Sequence, residues 1–167
     1  MNLLKKIFTE DSKEKSDILA LNSAEFKKLV SKHFAPFLRE NGWKGTGFIY
    51  RRFKSNNIIE VLEFSPDKYG GKFGIALGVH FDFIELPLLK DFTKIRIMHL
   101  DIRDGMNRDN DQHTNWQYPT TNRELSSLFA ELKHLYKNKG ESFFSLFNNW
   151  ENELTKINEN QIENGDL

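Results

Sequence analysis

From Phe73 to Phe83 the chain alternates without a break. Phe73, Ile75, Leu77, Val79, Phe81 and Phe83 stand against Gly74, Ala76, Gly78, His80 and Asp82. Successive side chains of a strand point to opposite faces, so this segment reads as a long, half-buried strand. One face is large and apolar. The other is bare at one end and polar at the other. Glycine inside a strand costs roughly 0.5–1 kcal/mol, and two on one face mark a place where something approaches closely.

A ribbon with an aromatic face needs helices to cover it, and the chain has the material. Its 167 residues suit one domain, with 15 Phe and 3 Trp for the core. Lys+Arg 24 balances Asp+Glu 24, so no global field draws the chain to nucleic acid or to an anionic membrane. The absence of Cys excludes disulfides, thiolate zinc sites and a cysteine nucleophile. Residues 1–15 carry lysines within their apolar run and show no signal-peptide pattern. No apolar run approaches the ~20 residues that span a bilayer. A cytoplasmic protein without a membrane partner is expected.

Residues 1–21 read as a peripheral N-terminal segment, 22–157 as a single domain and 158–167 as a disordered tail. Asn22 and Glu25 have capping-box spacing. Phe26, Leu29, Val30, His33 and Phe37 then recur at helical intervals, with Pro36 dividing the helix and Asn41-Gly42 ending it. Thr46–Lys54, Ile58–Ser65 and Phe73–Phe83 read as three strands in hairpin order. Both faces of the second are partly apolar, as in a central strand. Ile84–Thr93 is irregular and leucine-rich, and is expected to plug one end of the sheet. Lys94–Ile102 reads as a fourth strand and Trp116–Tyr118 as a short fifth. Thr121 and Glu124 open a helix that Gly140 should end, and Glu141–Ile157 should form the last helix. Segregated elements of this kind specify α+β architecture. The expected fold is an antiparallel sheet of about four or five strands, with one helix before it and two after it packed on one face.

Chemistry has three candidate locations. Gly74, Ala76 and Gly78 would line a shallow floor with His80 and Asp82 at its end. A second His-x-Asp pair, His99 and Asp101, lies on the expected fourth strand. If those strands pair, two imidazoles and two carboxylates converge, a set suited to metal binding or acid–base work. Arg51, Arg52 and Lys54 interleave with Phe48, Tyr50 and Phe53, as in sheets that bind nucleic acid. The neutral overall charge and the lack of a ribonucleoprotein-type motif argue against that partner. The loop from Asp101 to His113 is acidic but lacks calcium-loop spacing. No phosphate-cradling glycine loop, nucleophile elbow or His-Glu-x-x-His helix occurs.

The order of landmarks resembles a bacterial family known as "domain of unknown function 4304". These run from Phe26, Leu29, Phe37 and Leu38 into Glu40-Asn41-Gly42-Trp43-Lys44. They continue through Phe48-Ile49-Tyr50-Arg51, Ile58–Phe64 and Phe73–Val79 to Arg96-Ile97, Trp116, a leucine-rich helix and Phe143-Phe144. The resemblance covers roughly residues 22–150. It implies a small bacterial accessory protein and brings no activity, cofactor or catalytic residue with it.

The expected function is therefore a non-catalytic binding or accessory module, for example an immunity-type protein that docks on another protein. No cofactor and no metal are expected. The binding residues are Gly74, Ala76, Gly78, His80, Asp82, Arg96, His99 and Asp101. The alternative is a small metal-dependent hydrolase using His80, Asp82, His99 and Asp101.

Overall fold

The computed structural model describes residues 18–87, 89–100, 102–107 and 116–151. Helix α1 (Ser23–His33) starts on a complete capping box. The Asn22 side chain accepts the Glu25 N–H at 3.0 Å, and the Glu25 carboxylate accepts the Asn22 N–H at 2.8 Å. Pro36 cannot continue an α-helical hydrogen-bond ladder, and a new helix, α2 (Ala35–Glu40), begins around it. Gly42, at φ +82°, ends α2 in the left-handed region that L side chains avoid.

The sheet is antiparallel, in the order β1 (Lys44–Thr46), β2 (Ile49–Phe53), β3 (Ile58–Pro66), β4 (Lys72–Phe81), β5 (Ile102–Gly105). A short β6 (Trp116–Gln117) also pairs with β4. Segregated helices and an antiparallel sheet make the protein α+β. The strand expected over Thr46–Lys54 is split, because the chain turns at Gly47-Phe48 and sets Thr46 against Ile49. Every residue of β3 from Ile58 to Phe64 is buried, as a central strand with both faces covered requires.

Phe73, Ile75, Leu77 and Val79 point into the main core beneath the helices. There Phe26 packs on Phe73 at 4.5 Å and stacks on Tyr118 at 4.4 Å, centroid to centroid. Burying each such ring contributes roughly 1.5–3 kcal/mol. Helix α3 (Asn122–Leu135) adds Leu125, Leu128, Phe129 and Leu132 to that core.

Three sequence expectations are corrected. Lys94–Ile102 is not a strand. Two 3-10 turns, Phe92–Lys94 and Ile97–His99, fold the segment across the sheet, and among the described residues pairing resumes at Ile102. The first turn is set by Asp91, whose side chain accepts the Thr93 N–H at 3.0 Å. Gly140 does not end a helix. A Cβ there would lie 3.0 Å from the Tyr136 ring, and the chain widens into a π turn (Tyr136–Gly140) that runs straight into α4 (Glu141–Ser145). The last helix is therefore short. Phe147 and Trp150 still pack on the core, while Leu154 and Ile157 lie outside the described residues. So do residues 1–17 of the expected peripheral segment and the expected tail at 158–167. Among the described residues, no helix is long and apolar enough to cross a membrane.

Candidate functional site

Strand register fixes what shares the second face of the sheet. Arg51, Val61, Gly78 and Arg103 form one row, and Ile49, Glu63, Ala76 and Gly105 the next. Ser65 lies beside Gly74. This face has two halves. Over Gly78 and His80, the irregular segment after β4 builds a small second core from Ile59, Val61, Ile95 and Leu100, flanked by Leu86, Leu89, Phe92 and Ile97. A Cβ on Gly78 would sit 2.5 Å from Leu100 Cδ1 and 3.0 Å from Ile97 Cδ1. The close approach signalled by this glycine is the chain's own. At the other half, a Cβ on Gly74 would meet nothing within 4 Å among the described residues. Gly74 and Ala76 stay partly exposed.

At the open half lies a cavity of about 410 Å³. Its lining combines polar Lys27, Thr46, Glu63, Ser65 and Arg96 with apolar Phe48, Ile49, Phe64 and Pro66. Glu63 is buried, with only 5% of its surface accessible. Its carboxylate accepts from the Nε and Nη2 of Arg96 and, at 3.2 Å, from the Ile97 N–H. Glu63 raises the Arg96 guanidinium above its usual pKa. The 3-10 turn therefore serves as a bracket that delivers Arg96 to the cavity edge.

The other expected site residues are dispersed. His80 is 6% exposed and meets the Phe92 ring edge-on at 4.9 Å, with no hydrogen-bond partner for Nε2 among the described residues. Burial holds its imidazole below the usual range, against a smaller opposing pull from Asp82. Asp82 lies exposed in the turn after β4. His99 is not on a strand. Its Nδ1 accepts the Arg96 N–H at 3.0 Å, and its ring faces Leu86, Pro87 and Leu89 around a separate apolar cavity of about 230 Å³. Asp101 lies outside the described residues. Among those described, no three His, Asp or Glu side chains are grouped to hold a metal ion.

The interleaved basic strand divides between two faces. Phe48 and Tyr50 pack into the main core. Arg51 donates from Nε to the Ile95 carbonyl at 2.7 Å on the second face. Arg52 turns to the helices, where it pairs with Glu60 and, through two further bonds of 3.0 and 3.1 Å, with Glu141. Its guanidinium lies 4.9 Å from the centre of the Trp43 ring. Tyr136 completes the network, donating its hydroxyl to Glu141 while accepting the Trp43 indole N–H. Burial raises the Glu60 carboxyl above its usual range, outweighing Arg52, whereas hydrogen bonds from Arg52 and Tyr136 hold Glu141 below it despite burial. Sequence reading missed this network. Its five members fall in two groups about 90 residues apart in the chain, and a charged pair on β2 and β3 reads as solvent-facing until α4 is placed over it.

A protein-family model described as "Domain of unknown function (DUF4304)" matches residues 34–146. The matched span runs from the start of α2 to just past α4, and so takes in the whole sheet and both halves of its second face. No curated protein and no solved structure matches the chain.

Proposed function

The chain belongs to the DUF4304 family, a domain of unknown function, and from that premise we propose that it is a binding module without chemistry of its own. A partner protein docks on the open half of the sheet's second face. The observation that supports this reading is the pairing of Arg96 with buried Glu63, one strand away from the bare backbone at Gly74. Fixing an arginine in advance removes part of the ordering cost of an interface, and arginine is enriched among the few residues that dominate binding energy. Bare backbone beside it lets a partner approach closely.

Cross-linking in cells tests the reading. A photoreactive phenylalanine analogue replaces exposed Ser65, and in a control chain exposed Glu40. A discrete cross-linked protein is expected from position 65 alone, and Gly74→Trp should abolish it. Cross-linking at neither position, or equally at both, overturns the proposal.

A further inference from the structure

We infer that the cavity of about 410 Å³ beside Arg96 is a receptor for a carboxylate carried on an apolar stem. The inference deepens the docking reading and rests on it for the source of the carboxylate, a side chain or chain end of the partner.

The argument begins with Arg96. Glu63 holds one edge of its guanidinium, through Nε and Nη2. Nη1 has no hydrogen-bond partner among the described residues. An arginine gripped from behind presents its remaining N–H groups in a fixed plane, and a carboxylate accepts two of them side by side. A second cation comes from α1. Lys27 lines the cavity and has no ion pair among the described residues. Its stem crosses the β1–β2 turn at Gly47, where any Cβ would collide with Lys27 Cε. The glycine there leaves room for the stem. Thr46 and Ser65 add two hydroxyls to the lining.

Charge selects the ligand. Glu63 carries one negative charge, and Arg96 and Lys27 carry one positive charge each. Positive charge is therefore in excess among the lining residues, and Arg51, coupled electrostatically to Glu63 and Arg96, adds to it, so the site favours an anion. Composition agrees, because partly exposed Phe48, Ile49 and Pro66 add apolar surface to the lining for the carbon chain behind the carboxylate. The volume is within the range of small-ligand sites, and would hold one or two residues of a peptide.

The test uses the full chain, labelled with ¹⁵N, and 3-phenylpropionate as the probe. A saturable shift of the Arg96 Nε–Hε resonance is expected, with none from the methyl ester. Arg96→Gln and Lys27→Gln should each weaken binding about tenfold or more, as the loss of a charge-assisted hydrogen bond does. Lys27 is exposed, so its change leaves the fold intact, whereas Arg96→Gln takes the counter-charge from buried Glu63, so its folding is checked from its amide spectrum and Lys27→Gln carries the test if it unfolds. No saturable shift, an equal response to the ester, or tighter binding of inorganic phosphate overturns the inference. Two hexapeptides separate the sources. One ends in a free carboxylate after an apolar residue, and the other is amidated with Phe-Glu at its centre. Binding of either supports the inference and names the source. If 3-phenylpropionate binds and the Ser65 cross-link fails, the docking reading falls and the carboxylate site stands. If the cross-link forms and the probe does not bind, the reverse holds.

Discussion

The indole N–H of Trp43 donates to the Tyr136 hydroxyl across 2.6 Å, joining residues 93 positions apart in the chain. That hydroxyl in turn donates to Glu141, so one buried oxygen fastens the helix-to-sheet connection before β1 to the π turn after α3. Burial, reinforced by Glu141, raises the phenol well above the usual tyrosine range. Tyr136→Phe keeps the ring and removes the link, leaving a buried indole N–H without an acceptor. A loss of about 1–3 kcal/mol is expected, read as a lower urea midpoint at unchanged slope.

Arg52 gives a larger effect with a pH signature. In Arg52→Leu the Glu60 carboxylate, whose side chain is 2% exposed, loses its counter-charge. Stranding a buried charge costs about 3–5 kcal/mol at neutral pH. The folded variant can escape by protonating Glu60, whose carboxyl burial already raises. An acid whose pKa is raised by folding loses stability as pH rises from the ordinary carboxyl range to its folded pKa, and recovers it on acidification. The deficit of Arg52→Leu should therefore shrink as denaturation is repeated from pH 7 down to pH 4.5. A constant deficit would mean that Glu60 never depended on Arg52.

The helix-side half of this fold was legible because local signals coincide with tertiary ones. Asn22 and Glu25 cap where the apolar period of α1 begins, and the rings of β4 alternate at the period their burial demands. The second face was legible only as a question. Two glycines on one strand carry the same sequence signal, yet Gly78 lies under Leu100 and Gly74 lies open among the described residues. What separates them is where residues 84–100 fold, and that depends on side-chain brackets. Asp91 bonds Thr93, and Glu63 reaches Arg96 and Ile97 from 33 and 34 residues away. No pattern along the chain contains the second bracket. Arg96 entered the sequence reading as a family landmark, and its geometry gives that landmark a physical role.

The same two glycines supply a matched pair of substitutions. Gly78→Ala places a methyl 2.5 Å from Leu100 Cδ1 and 3.2 Å from the Ile102 carbonyl oxygen. Overpacking of this kind costs about 1–3 kcal/mol. Gly74→Ala meets nothing within 4 Å among the described residues, and replacing a strand glycine there should be neutral or stabilising by up to about 1 kcal/mol. Thermal unfolding of the two variants side by side measures the contrast. Equal effects would contradict the division of this face into a covered and an open half.

His80 makes the covered half sensitive to acid. Its ring sits under Phe92 with Nε2 unpartnered among the described residues, and burial holds its pKa below the ordinary imidazole value. Between those two values the unfolded chain binds a proton that the folded chain refuses, so stability falls as pH falls through the ordinary histidine range. His33 is shifted in the same direction, by burial first and then by Lys32 and Lys133, and acts as the internal comparison. His80→Leu removes an unsatisfied buried nitrogen, so its stability at pH 7.5 should equal or exceed that of the parent chain. Its stability should also fall less between pH 7.5 and pH 5.5. Amide exchange locates the effect, since Ile95 and Leu100 should lose protection at pH 5.5 in the parent chain and keep it in His80→Leu. Should His33→Gln flatten the profile and His80→Leu leave it unchanged, the acid sensitivity belongs to α1 and not to the second face.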